Sequence, residues 1–198
     1  MPGQPEWLRI YESLVLFSIH SFPAPIRAAT LEHSHSGAWT NPVAFRLLSF
    51  RPLQKFGISN QSLVQEACRL GSLLYLAPVW RMFGVHPLRS EILVHKLKAL
   101  FDSHMMEWSR LWKLQLWVLF VGAMEAQVVD DLVSLTWFVL EIASTLLEHG
   151  IHSWSRGLAC IQEILWAETI FGGKDNTLGL EVDELLKQEL WPSGHSPC

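Results

Sequence analysis

The stretch LQLWVLFVGAM, residues 114–124, decides the fold. Gln115 is the one polar side chain in these eleven residues, so a helix made of them shows apolar surface on every side. Such a helix has to be enclosed by other elements, and a central helix over residues 106–127 is expected. The apolar run falls well short of the roughly 20 residues that cross a bilayer. Enclosure by protein rather than lipid follows, and the expectation is a soluble chain with no membrane partner.

Working outward, both flanks carry helical periodicity. Upstream, Leu63, Ala67, Leu70, Leu74 and Ala77 alternate steps of four and three, with Glu66, Arg69 and Ser72 on other faces. Pro78 should kink or end that helix, because it lacks an N–H and clashes with the turn behind it. Gly84 stops whatever continues through Trp80 and Phe83. Pro87 suits a helix start, and Leu93, Leu97 and Leu100 carry the next helix to about residue 104. Downstream, Asp130 and Asp131 suit the positive end of a helix. Its inner stripe is Leu132, Leu135, Val139, Ile142 and Leu146, opposed by Ser134, Glu141, Thr145 and Glu148, with Gly150 as its stop. Ser153 can cap a further helix over residues 154–170, packed by Trp154, Leu158, Ile161 and Leu165 and ended by Gly172-Gly173. A last helix over residues 178–190 turns Val182, Leu185 and Leu186 inward. No segment alternates like a strand and no repeat is visible. The fold class expected is all-α, a compact array of five to six helices around a central apolar helix, with short connections.

Three regions are expected. Residues 1–58 are Pro-rich and weakly structured, with a long loop over 21–42 and short helices near 7–19 and 42–50; they have the composition of an inter-domain linker. Residues 59–190 form the helical domain, and 191–198 a flexible tail. At 198 residues, with 49% apolar and 17% charged side chains, the chain suits one well-filled domain and is excluded from the disordered class. Ten tryptophans point to packing first and interfaces second.

Charge and cysteine usage restrict function. Lys and Arg number five against three Asp and Glu before Asn60, and ten against sixteen from there on, so the net charge passes from +2 to −6. A nucleic-acid footprint needs a basic patch, so direct DNA binding by this chain is not expected. Cys68, Cys160 and Cys198 are odd in number and too scattered for a zinc site or a disulfide framework. A reducing intracellular compartment is the natural reading. His33 and His35 lie in the early loop, and His149 and His152 flank a helix stop. None has the further ligands that tetrahedral zinc wants. Glu148-His149 has no matching nucleophile or phosphate loop. No cofactor and no enzymatic activity are expected.

Two stretches then carry a family likeness. One is EACRLGSLLYL, residues 66–76. The other runs from Trp112 through LWVLFVGA, residues 116–123, to Trp137-Phe138, with an echo in Trp154 and ILW at 164–166. Together they resemble the helical domain C-terminal to the binuclear zinc cluster in fungal-specific transcription factors, over residues 59–190, two-thirds of the chain. The resemblance implies a nuclear regulatory domain that modulates transcription, contacts proteins of the transcription machinery or a regulator subunit, and responds to a small apolar effector. It is an associational warrant. The chain departs from the family in lacking the six closely spaced cysteines and adjoining basic residues of the zinc cluster. Either that module lies upstream in a longer product or the domain stands alone. No import signal is visible, and without the resemblance a cytoplasmic location is expected.

The residues singled out are Tyr75, Trp112, Trp117, Gly122, Trp137, Phe138, Trp154 and Trp166. The aromatic ones line an effector pocket or fill the space between helices, and their helical spacing favours the core. Gly122 costs roughly 1 kcal/mol relative to Ala in a helix, which signals close helix approach or a ligand against backbone. Glu181, Asp183, Glu184, Leu185, Leu186 and Trp191 alternate acidic and bulky apolar types. They read as an activation segment or as the amphipathic last helix, the latter favoured. The alternative from another class is a stand-alone helical small-molecule-binding protein with no part in transcription.

Overall fold

The computed structural model describes residues 40–82, 89–173 and 176–190. Among these, nine α-helices occur in the order α1 (Thr40–Ser49), α2 (Pro52–Phe56), α3 (Asn60–Met82), α4 (Ser90–Ser103), α5 (Trp112–Val128), α6 (Leu132–Glu148), α7 (Trp154–Gln162), α8 (Glu168–Phe171) and α9 (Asn176–Leu190). A 3-10 turn, Ser109–Leu111, leads into α5. The described residues contain no strand, and the fold is all-α. The expected helix near 7–19, Gly84 and Pro87, and the 191–198 tail lie outside the described residues.

Helix α5 is the enclosed element. Every residue from Leu116 to Ala126 is buried, and α5 is covered by α3, α4, α6 and α7. Its neighbour α6 packs on it through the face of Leu135, Phe138, Val139, Ile142 and Leu146, while α9 covers α6 and α7. In the α5–α6 connection Asp131 serves both helices. Asp130, at φ +58°, takes the left-handed position that ends α5. Asp131 donates its N–H to Ala126 O at 3.0 Å, and its side chain accepts from Ser134 N at 3.0 Å to cap α6. At the far end of α6, Gly150 (φ +68°) and Ile151 donate to Leu147 O and Leu146 O, both at 2.9 Å, a Schellman closure.

The structure differs from the sequence reading in several places, one of them the α6 stripe, where Leu132 is exposed and Ser134 and Thr145, expected on the opposed face, are buried. Helix α3 passes through Pro78 to Met82, because Val79 and Trp80 beyond the proline are buried and packing outweighs the lost hydrogen bond. Helix α5 starts at Trp112 rather than 106. Ser109 (φ 42°) breaks the winding, and the Glu107 backbone is held by the Asn60 side chain through bonds of 2.7 and 2.9 Å. The single helix expected over 154–170 is two, α7 and α8. Between them Leu165 O is taken by the buried Trp117 indole N–H at 2.9 Å, a partner a helical turn would not have left free. Finally, α1 is the short helix expected near 42–50, but with α2 it packs on α3, and Leu47 and Phe50 of a stretch expected to be weakly structured lie in the core.

Candidate functional site

The sequence-selected aromatics fall into three groups. Tyr75 of α3 lies 5.8 Å from Trp117 of α5 and 5.5 Å from Phe171 of α8, ring centre to ring centre. Phe120 extends the group to Trp154, Trp166 and Phe171 at 6.3, 5.7 and 5.5 Å. Tyr75, Trp117 and Phe120 are fully enclosed, so this group is a packed junction of α3, α5, α7 and α8. A second group joins Trp137 to Phe138 and to Phe101, which stacks on Trp108 at 5.8 Å. Gly122 belongs here: a Cβ on it would meet the Phe138 ring at 2.7 Å and Leu97 at 3.2 Å. Close helix approach, not a ligand, occupies that position. Trp112, half-buried against the edge of the core, forms the third group, stacked on His149 at 4.3 Å with Lys113 over its ring.

The acidic segment is wound into α9. Val182 and Leu186 are buried, Leu185 is half-buried, and Glu181 and Glu184 face solvent. Asp183 accepts from the Trp154 backbone N–H at 2.6 Å, tying α9 to the first turn of α7. Trp191 lies outside the described residues.

Concave surface occurs elsewhere. A groove of about 620 Å³ runs over α3 between the α1–α2 turn and α4. Its lining comprises Leu48, Arg51, Leu53 and Gln54 from the first side, Glu66, Arg69, Leu70 and Leu73 from the floor, and Leu93, Lys96, Ala99 and Leu100 from α4. Arg69 is paired with Glu66 through two bonds, one of 2.8 Å, and reaches Leu47 O at 3.3 Å. Arg51 and Lys96 are exposed and enter no ion pair among the described residues. A smaller cleft of about 230 Å³ on another side of α3 is lined by Asn60, Gln61, Val64, Gln65, Cys68, Glu107, Leu111 and Leu114. Burial pushes the Cys68 thiol up to about 12, so it stays protonated and unreactive at neutral pH. None of the sequence-selected aromatics lines either cleft.

Charge is distributed unequally around these features. The buried Glu125 of α5 is met by the Arg81 guanidinium through two bonds, one of 2.8 Å. On the α4–α6 side, burial first and then the carboxylates of Asp102 and Glu148 raise the Glu141 carboxyl above its ordinary range. That side is acidic, whereas the groove is rimmed by cations. Sequence reading missed the groove because its floor leucines and its lip arise on separate helices. The one available signal was Leu48, Arg51 and Leu53 in a row outside the regular stripes. Among the described residues no group of three His, Cys, Asp or Glu side chains is placed to hold a metal ion. No described helix is long and apolar enough to cross a membrane.

Comparison with known proteins finds no matching family model, no matching curated protein and no matching solved structure.

Proposed function

We propose that the chain is a helical regulatory and interaction domain of the fungal transcription-factor type, acting in the nucleus through contacts with protein partners and without a DNA-binding module of its own. The observation that carries the reading is the cation-rimmed apolar groove on α3, bordered by exposed Leu48 and close in sequence to exposed Phe45, Phe56 and Ile58. Exposed apolar surface that is contiguous marks interaction sites, and of these side chains Leu48 lies in the groove lining itself. The two stretches that carry the family resemblance support it further, since they form α3 and α5, which meet through Tyr75 and Trp117. A net charge of −6 from Asn60 onward weighs against direct contact with nucleic acid.

The test tethers the full chain to an unrelated DNA-binding domain and reads a reporter gene in a fungal host. A change in reporter output of several-fold over the DNA-binding domain alone is the expected result. Unchanged output at equal protein level contradicts a role in transcription.

A further inference from the structure

We propose that the groove on α3 docks an acidic amphipathic helix from a partner protein, with apolar anchors in the floor and carboxylates against Arg51 and Lys96. The inference rests on the interaction-domain reading above and names the partner's chemistry.

Dimensions come first. On α3 the groove is defined by Glu66, Leu70 and Leu73, and on α4 by Leu93, Lys96 and Leu100. Each set spans eight residues, so seven rises of 1.5 Å, or about 10.5 Å. Two turns of wall match the i, i+3 or i+4, i+7 anchors by which an amphipathic helix enters an apolar groove. The lip stays wet, since Leu48 is 44% exposed. A small molecule there would keep much of its surface in water, whereas small-molecule sites bury about 70–90% of the ligand. A helix needs to bury one face only.

The sign of the partner follows from the rim. Arg69 and Glu66 cancel, so Arg51 and Lys96 leave the groove at +2 on a chain of net charge −4. At physiological salt the screening length is about 8 Å. The rim therefore outweighs the distant acids of α6 for a ligand seated in the groove. Carboxylates flanking the anchors satisfy both cations, and a basic helix would be repelled by them.

The test is a fluorescence-anisotropy titration of the full chain. Its probe is a fluorescein-labelled designed helix of about four turns with leucines at i, i+4 and i+7 and glutamates at the flanking positions. A second probe replaces the glutamates with lysines. The expected result is saturable binding of the acidic probe, weakened about tenfold by the double change Arg51→Glu with Lys96→Glu, and a preference of that variant for the basic probe. Both positions are exposed, so the variant's thermal midpoint should match the parent's. Equal affinity of parent and variant for the acidic probe, or no saturable binding, overturns the proposal. So does a groove closed by a second copy, seen as a parent dimer in sedimentation that Leu48→Glu abolishes. The two readings fail separately: a silent reporter with intact peptide binding removes the transcriptional role, and an active reporter without peptide binding removes the groove assignment.

Discussion

An alanine methyl at position 122 would sit 2.7 Å from two carbons of the Phe138 ring. Helix propensity alone would favour Gly122→Ala by about 1 kcal/mol. Overpacking a full core costs about 1–3 kcal/mol, and the ring has Trp137 against it at 5.0 Å, so packing prevails. Urea unfolding should show Gly122→Ala destabilised by about 1 kcal/mol; a stabilised variant would mean the α5–α6 approach is looser than described. Asp131 gives a prediction with a pH signature. Its hydrogen bonding with Ser134 foremost, opposed by burial and aided by His95 at 2.9 Å, holds its carboxyl below the ordinary 3.8. A lowered folded value means its stabilisation is present above 3.8 and disappears as pH falls through that lowered value. Asp131→Ala should cost about 1 kcal/mol at pH 7. The gap between parent and variant should shrink below pH 3.8 and close once the pH is below the lowered folded value, and a gap that persists in thermal melts there would show that the cap does not depend on charge.

At the scale of elements, Pro78 is the informative case. An interior proline costs a helix about 3 kcal/mol or more through the missing bond and ring clash, yet α3 runs 23 residues through it. Pro78→Ala should stabilise the protein by about 1–2 kcal/mol, since part of the gain is offset by the freer unfolded chain. A loss instead, in denaturant melts, would mean the proline shapes the way Val79 and Trp80 seat in the core. This helix also shows what periodicity can and cannot convey. The stripe Leu63, Ala67, Leu70, Leu74 and Ala77 located its buried face, and all five are buried. Of the two outcomes expected at Pro78, the end does not occur, because tertiary burial that no local pattern encodes competes with local backbone chemistry. The break between α7 and α8 was hidden for a related reason. The bond from Trp117 to Leu165 O joins residues 48 apart in sequence, and nothing near Leu165 signals it. The stop at Gly150 and the helix start at Asp130-Asp131 are legible because caps depend on neighbours within one turn.

For the molecule as a whole, the run 114–124 announced an enclosed helix, and α5 has no exposed residue from Leu116 to Ala126. What the sequence left unstated was the contribution of residues 40–58. Leu47, 1% exposed, and Phe50 close one side of the core. Leu47→Ala should therefore cost about 2–5 kcal/mol, as expected for a core leucine anywhere. A cost under 1 kcal/mol in the same urea assay would return α1 to the status of an appendage. The groove was illegible for a physical reason: its floor, rim and lip come from three regions of chain whose adjacency is a product of packing. The aromatics were easy to select and are mostly core, because tryptophan's large apolar area places it inside first. The most direct measurement is native-state hydrogen exchange resolved by residue. Organisation around one enclosed helix predicts that the amides of residues 116–126 exchange slowest, at the free energy of global unfolding, with α1 and α9 opening earlier. Exchange in α5 as fast as in α1 would contradict it.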